Sequence, residues 1–288
     1  IRGKVGFELA KYLYTEQLQS PVFQQWQLAI DESQPLLLAG TVAIPSETAK
    51  PPTDDLIAAP RRLMGVADTL TDPELTEYNH RLPERRETEA LAAHARGQAY
   101  QLLACHHAFS GAVPQTSTAA TRHYENAVAA FVLAAEQFHR AIDAWQRYEA
   151  GERYDRIQGY YSAVRQTAQQ QDTWTTVAQL LAQGILRFPH DRPAAYELFR
   201  RAQELGQLLG DVPGVRHDLD VAQRYIGYYE TALEQLESYQ QAIATAQDTA
   251  RATIAVAQEA DAACVSEDRQ RVLDWMHDRS RIAFDFFQ

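Results

Sequence analysis

The chain has 288 residues, 45 % apolar and 23 % charged, proportions of an ordinary folded protein with ample material for a core. Its net charge of −11 repels a phosphate backbone and argues against general nucleic-acid binding. Two cysteines, Cys105 and Cys264, make no disulfide framework, and the longest apolar run, PLLLAGTVAIP at 35–45, is far shorter than the roughly 20 residues a transmembrane helix needs.

The chain begins with Ile1 rather than Met, which suggests a processed protein, a cleaved targeting presequence being one explanation. KVGFELAKYLYTEQLQ reads as a first helix, and SPVFQQWQLAID as a second, with Ser20 at the N-cap and Pro21 at the first helical position. Residues 1–31 are therefore expected to hold the N-terminal helices.

Seven of the 12 prolines, at 35, 45, 51, 52, 60, 73 and 83, fall in the next segment. Proline removes a backbone donor and clashes with the preceding turn, so residues 32–83 are expected to form an extended arm with short helical turns such as LIAAPRRLMGVADTL. A segment with so little regular structure needs something to hold it, and neighbouring protein subunits are the expected anchor.

From residue 84 the apolar spacing becomes helical, and residues 84–288 are expected to form a bundle with long coiled-coil-like helices. Leu91, Ala95, Gln98, Leu102, Cys105 and Phe109 make one stripe. Tyr124, Val128, Phe131, Ala135, Phe138, Ile142 and Trp145 then alternate by four and three, a heptad seam. Tyr154, Ile157, Tyr161, Val164 and Ala168 form a shorter stripe, after which Asp172 is expected to cap a separate helix carrying Trp174, Val177, Leu181 and Gly184 inward. The last seam runs from Leu219 through Ala222, Ile226, Tyr229, Leu233 and Leu236 to Ile243, Ile254 and Ala257, interrupted by Gln240 and Gln247. Polar seam positions fix register or partner choice, or face solvent where packing opens. The closing DRQRVLDWMHDRSRIAFDFFQ sets Val272, Trp275, Met276, Ile282 and Phe286 on one side, with Phe287 beyond. Its mixed charges favour bundle closure or partner docking over rest on a membrane surface, although peripheral membrane contact stays open.

LLACHHAFSG at 102–111 could build a metal or thiol site. Helical metal pairs need ligands one turn apart, however, and neither His106 nor His107 has one, so Cys105 reads as a small core residue. Glu-x-x-His recurs at Glu77–His80 and Glu136–His139, the motif of di-iron bundles, but the second Glu faces outward from its seam and the first lies three residues before Pro83. His-Asp doublets at His190–Asp191, His217–Asp218 and His277–Asp278 match the type used by all-helical HD phosphohydrolases; turn and N-cap roles, with Asp218 and Asp220 capping the last helix, account for them. No phosphate loop, GxGxxG, GxSxG or CxxC occurs. No cofactor, metal or catalytic residue is expected.

AYELFRRAQELG resembles a tetratricopeptide or pentatricopeptide hairpin. The resemblance covers one hairpin, without sustained 34-residue self-similarity, and implies a repeat adaptor with a peptide groove around residues 150–210.

The sequence thus predicts an all-α protein: a long-helix bundle or antiparallel coiled coil with a short helical-hairpin section and a Pro-rich arm. The functional expectation is a noncatalytic accessory subunit of a larger assembly. Arms and rods of this kind suggest by analogy a mitochondrial membrane complex such as ATP synthase or a respiratory complex, placing the chain at the periphery of that membrane. Interaction candidates are Trp275, Met276, Ile282, Phe286, Phe287, Gln240 and Gln247. The alternatives are a helical metalloenzyme, di-iron or HD-type, and the repeat adaptor.

Overall fold

A computed structural model describes residues 21–45, 49–72, 84–113, 116–152 and 155–286. They form seven helices packed antiparallel, with no strand among them: α1 (Pro21–Leu37), α2 (Asp55–Thr71), α3 (Glu84–Ala112), α4 (Ser117–Gly151), α5 (Asp155–Arg187), α6 (Arg192–Gln207) and α7 (Pro213–Phe286). The fold is all-α with a long C-terminal helix, as the periodicity implies. The chain divides into two units, Ile1–Tyr229 and Glu230–Gln288, and α7 belongs to both.

In the first unit α3 is the central element, packed on α4 and α2 and touching α1 and α5. Its stripe at Leu91, Ala95, Gln98, Leu102 and Cys105 is buried as expected, but Ala92, Ala93, Ala99, Ala104 and Ala108 are buried too. Alanine faces let neighbouring backbones approach closely. Glycine extends this: a Cβ at Gly97 would stand 2.8 Å from the Phe138 ring, and one at Gly184 2.6 Å from Phe199.

The polar groups on so enclosed a helix need partners. Trp26 of α1 donates its indole N–H to Leu91 O at 3.0 Å, and Gln98 donates to Ser33 Oγ at 2.6 Å. Glu87 accepts from the Tyr161 hydroxyl, joining α3 to α5. His94 stands edge-on between Trp26 and Phe138, with ring centroids at 5.7 and 5.8 Å.

The α4 seam holds at Tyr124, Phe131, Phe138 and Trp145, all buried, with Ala127, Ala130, Ala134, Ala141 and Ala144 widening the face. Thr116 caps this helix, accepting from the Ala119 N–H. Arg165 of α5 meets Glu149 of α4 at 2.7 Å, and Asp172 meets His139 at 3.0 Å. Asp172 is therefore not an N-cap. Helix α5 runs unbroken through the polar stretch 169–172, where no Gly or Pro interrupts it and where α4 supplies a packing surface. Asp191 does cap α6, accepting from Ala194 N at 3.1 Å. Gly210, at φ +72°, turns the chain into α7.

The Pro-rich segment differs from expectation. Helix α1 continues through Pro35, which stands in its last turn, and residues 55–71 form a full helix despite Pro60. An interior proline forfeits a hydrogen bond and costs about 3 kcal/mol. The offset is burial: Leu56, Ala59, Pro60, Leu63, Ala67 and Leu70 make one apolar face, packed on α3. Between the two helices, Gly40 at φ +92° takes the bend, and Thr41 and Val42 are fully buried. Residues 73–83 and the helix expected before residue 20 lie outside the described residues.

Candidate functional site

What holds the bend at Gly40 is Asp218, on the second turn of α7 and wholly buried. Its Oδ1 accepts from Thr41 N at 2.8 Å and Val42 N at 3.4 Å; its Oδ2 accepts from Thr41 Oγ1 and Trp174 Nε1, each at 2.7 Å. The neighbouring His217 ring places Nε2 3.0 Å from Val42 O. All four partners of Asp218 donate, so this cradle fits the ionised carboxylate. Burial works against that charge and raises the pKa above the usual carboxylate value, with the Trp174 and Thr41 hydrogen bonds and the His217 charge pulling it back.

The expectation that Asp218 caps the last helix is therefore corrected. Helix α7 starts five residues earlier, at Pro213, which places Asp218 inside the helix and aims it across the core. Gly214 permits the approach: a Cβ there would lie 2.2 Å from the Leu37 carbonyl and 2.5 Å from the Trp174 ring. For residues 41–42, the anchor sought in a neighbouring subunit is supplied by the chain itself.

Beside this anchor lies a cavity of about 740 Å³. Apolar walls from Leu36, Ile44, Pro52, Leu56, Phe109 and Val221 meet a polar side made by Lys50, His217, Asp220 and Arg224.

Cys105 is fully buried, and burial, followed by the charge of Asp218, pushes its thiol well above the ordinary value. That is the opposite of what a nucleophile needs. The adjacent histidines have a neighbour that helical spacing did not show: His123 of α4 lies 5.8 Å from His107, which lies 5.5 Å from His106, centroid to centroid. Burial lowers the pKa of His106 and His107, and the mutual repulsion of the cluster lowers both further. Among the described residues no group of three or more His, Cys, Asp or Glu is placed to hold a metal ion.

The remaining motif residues disperse. Glu136 is exposed while His139 turns to Asp172; Glu77 and His80 lie outside the described residues. His190 is exposed beside the capping Asp191, and His277 and Asp278 are exposed in the second unit.

The interaction candidates fall in that second unit. Trp275 is 61 % exposed and Met276 57 %, and Gln240 and Gln247 are exposed. Ile282 and Phe286 lie on α7 with their side chains outside the described set, and Phe287 lies outside it altogether. The seam itself changes character at the unit boundary: Ala222 and Ile226 are buried, whereas Leu233, Leu236, Ile243 and Ile254 are exposed by 40 to 58 %. No helix among the described residues is long and apolar enough to cross a membrane.

Comparison with protein-family models, with curated proteins and with solved structures finds no match in any of the three.

Proposed function

We propose that the protein is a noncatalytic structural subunit of a larger protein assembly, docking through the part of α7 that follows Tyr229. The observation that carries this reading is the row of large apolar side chains exposed there, from Leu233 to Met276. A helix needs burial of an apolar face to be stable, and this stretch has such a face without the dense acid–lysine pairing that sustains solitary helices; it contains no lysine at all. Continuous exposed apolar surface marks an interaction site.

The assembly in view is a mitochondrial membrane complex of the ATP synthase or respiratory type, with this chain at its periphery. Support for that choice is the analogy of long helices and extended segments alone, and the Asp218 anchor removes residues 41–42 from the argument.

Leu236→Asp tests the docking reading. The side chain is half exposed, so the folded first unit should keep its unfolding midpoint while the variant fails to enter the assembly in source cells. Normal incorporation of a folded Leu236→Asp chain would refute it.

A further inference from the structure

The cavity beside the Asp218 anchor lies wholly within the first unit, since every residue that lines it precedes Tyr229. Its wall between α1 and α2 is held from two sides. Asp218 grips Thr41 and Val42, the His217 Nε2 stands 3.0 Å from Val42 O, and the Tyr124 hydroxyl of α4 donates to Ala43 O at 3.5 Å. Pro45, Pro51 and Pro52 restrict the backbone of the same wall further on. A wall that is already ordered costs a ligand little on binding.

The size and the lining select an amphipathic molecule. A volume of about 740 Å³ falls within the roughly 300–1,000 Å³ of small-molecule sites. Leu36, Ile44 and Phe109 line it while only half buried, so each has hydrocarbon left to cover. A small hydrated ion gains nothing from such walls, whereas an acyl chain does.

The charges on the polar side do not cancel. Lys50 and Arg224 are exposed and make no ion pair or hydrogen bond among the described residues. Asp220 acts on a cation outside the lining: the pKa of Arg216 is raised chiefly by Asp211 and further by the charge of Asp220. Asp218 has its oxygens taken by four donors and is not part of the lining. Two unanswered cations thus stand beside apolar walls, in a chain whose net charge is −11.

Independently of the docking reading, we propose that this cavity binds an unbranched fatty carboxylate, its chain along Leu36, Ile44 and Phe109 and its carboxylate at Lys50 and Arg224. A cationic amphiphile would meet those two side chains as like charges, and a neutral one would leave them unpaired.

Isothermal titration calorimetry of the full chain with decanoate, decanol and decylammonium, each below its micellar concentration, tests this. Decanoate should bind at least about tenfold more tightly than decanol, and decylammonium more weakly than either. Lys50→Gln/Arg224→Gln alters two exposed positions, so the unfolding midpoint should hold while decanoate weakens about tenfold and decanol changes by less than about twofold. Ala39→Trp, which enlarges an exposed side chain of the lining, locates the site by weakening both decanoate and decanol. No saturable binding of decanoate, equal affinity for decanoate and decanol, tighter binding of decylammonium, or decanoate binding untouched by either variant would each overturn the proposal.

Discussion

The Asp218 carboxylate receives the Trp174 indole N–H at 2.7 Å, fastening the start of α7 to the middle of α5. The same carboxylate takes the backbone and hydroxyl donors of Thr41, so three distant parts of the chain meet on one charged group.

Asp218→Ala leaves buried donors without an acceptor, and a loss of about 3 to 5 kcal/mol in unfolding free energy is expected. Asp218→Asn keeps one acceptor oxygen and turns an amide N–H₂ against donors, costing roughly 2 kcal/mol. Denaturant unfolding gives the magnitudes. Hydrogen exchange should show protection lost first at Thr41 and Val42; unchanged protection there would contradict the anchor.

Gly40→Ala fails on two counts. The φ of +92° is strained for any L side chain, and the new Cβ would lie 2.2 Å from His217 Cδ2, displacing a ring that contacts Val42 O. A loss of about 2 kcal/mol or more is expected by chemical denaturation. Gly65→Ala, on α2 with open space around it, should be neutral or slightly stabilising in the same assay.

His94 gives the first unit an acid sensitivity. Burial lowers its pKa from 6.5 to about 4, with Gln171 pulling weakly the other way. The unfolded chain therefore takes up this proton first as pH falls. His94's contribution is complete above about pH 6.5 and is lost progressively down to about pH 4, up to ~3 kcal/mol in all. Unfolding free energies at pH 7 and pH 5 should differ by about 2 kcal/mol more in the wild type than in His94→Leu. Equal differences would show that the ring is not held neutral.

Phe131→Asp places a carboxylate where a fully buried ring packs against α3. A charge enclosed without a partner costs several kcal/mol, enough to unfold the unit. Circular dichroism of the purified variant checks this; a folded, cooperative Phe131→Asp protein would mean that the α4 face is misassigned.

The fold was legible wherever large apolar residues recur at three and four, as on α3 and α4. Their alanines were less visible, because a small side chain on a helix looks the same whether it faces solvent or a neighbour. Pro60 misled, since local backbone cost was outweighed by burial of the face around it. Asp172 misled similarly: it is a good cap residue by type, yet His139 across the α4–α5 interface holds it mid-helix. The Asp218 anchor had no local signal, because its donors stand 177 and 44 residues away. The His106–His107–His123 cluster escaped for the same reason, its third member coming from the next helix. In the second unit the α7 seam keeps its spacing of three and four although Gln240 and Gln247 interrupt it, and that spacing does not separate the buried Ile226 from the exposed Ile243.

The most direct measurement is the native mass at which the chain migrates in gently solubilised source material, with mass spectrometry of that band. The structural-subunit account predicts a complex much heavier than two copies of this chain, with other polypeptides in stoichiometric amounts. A band containing this chain alone would contradict it.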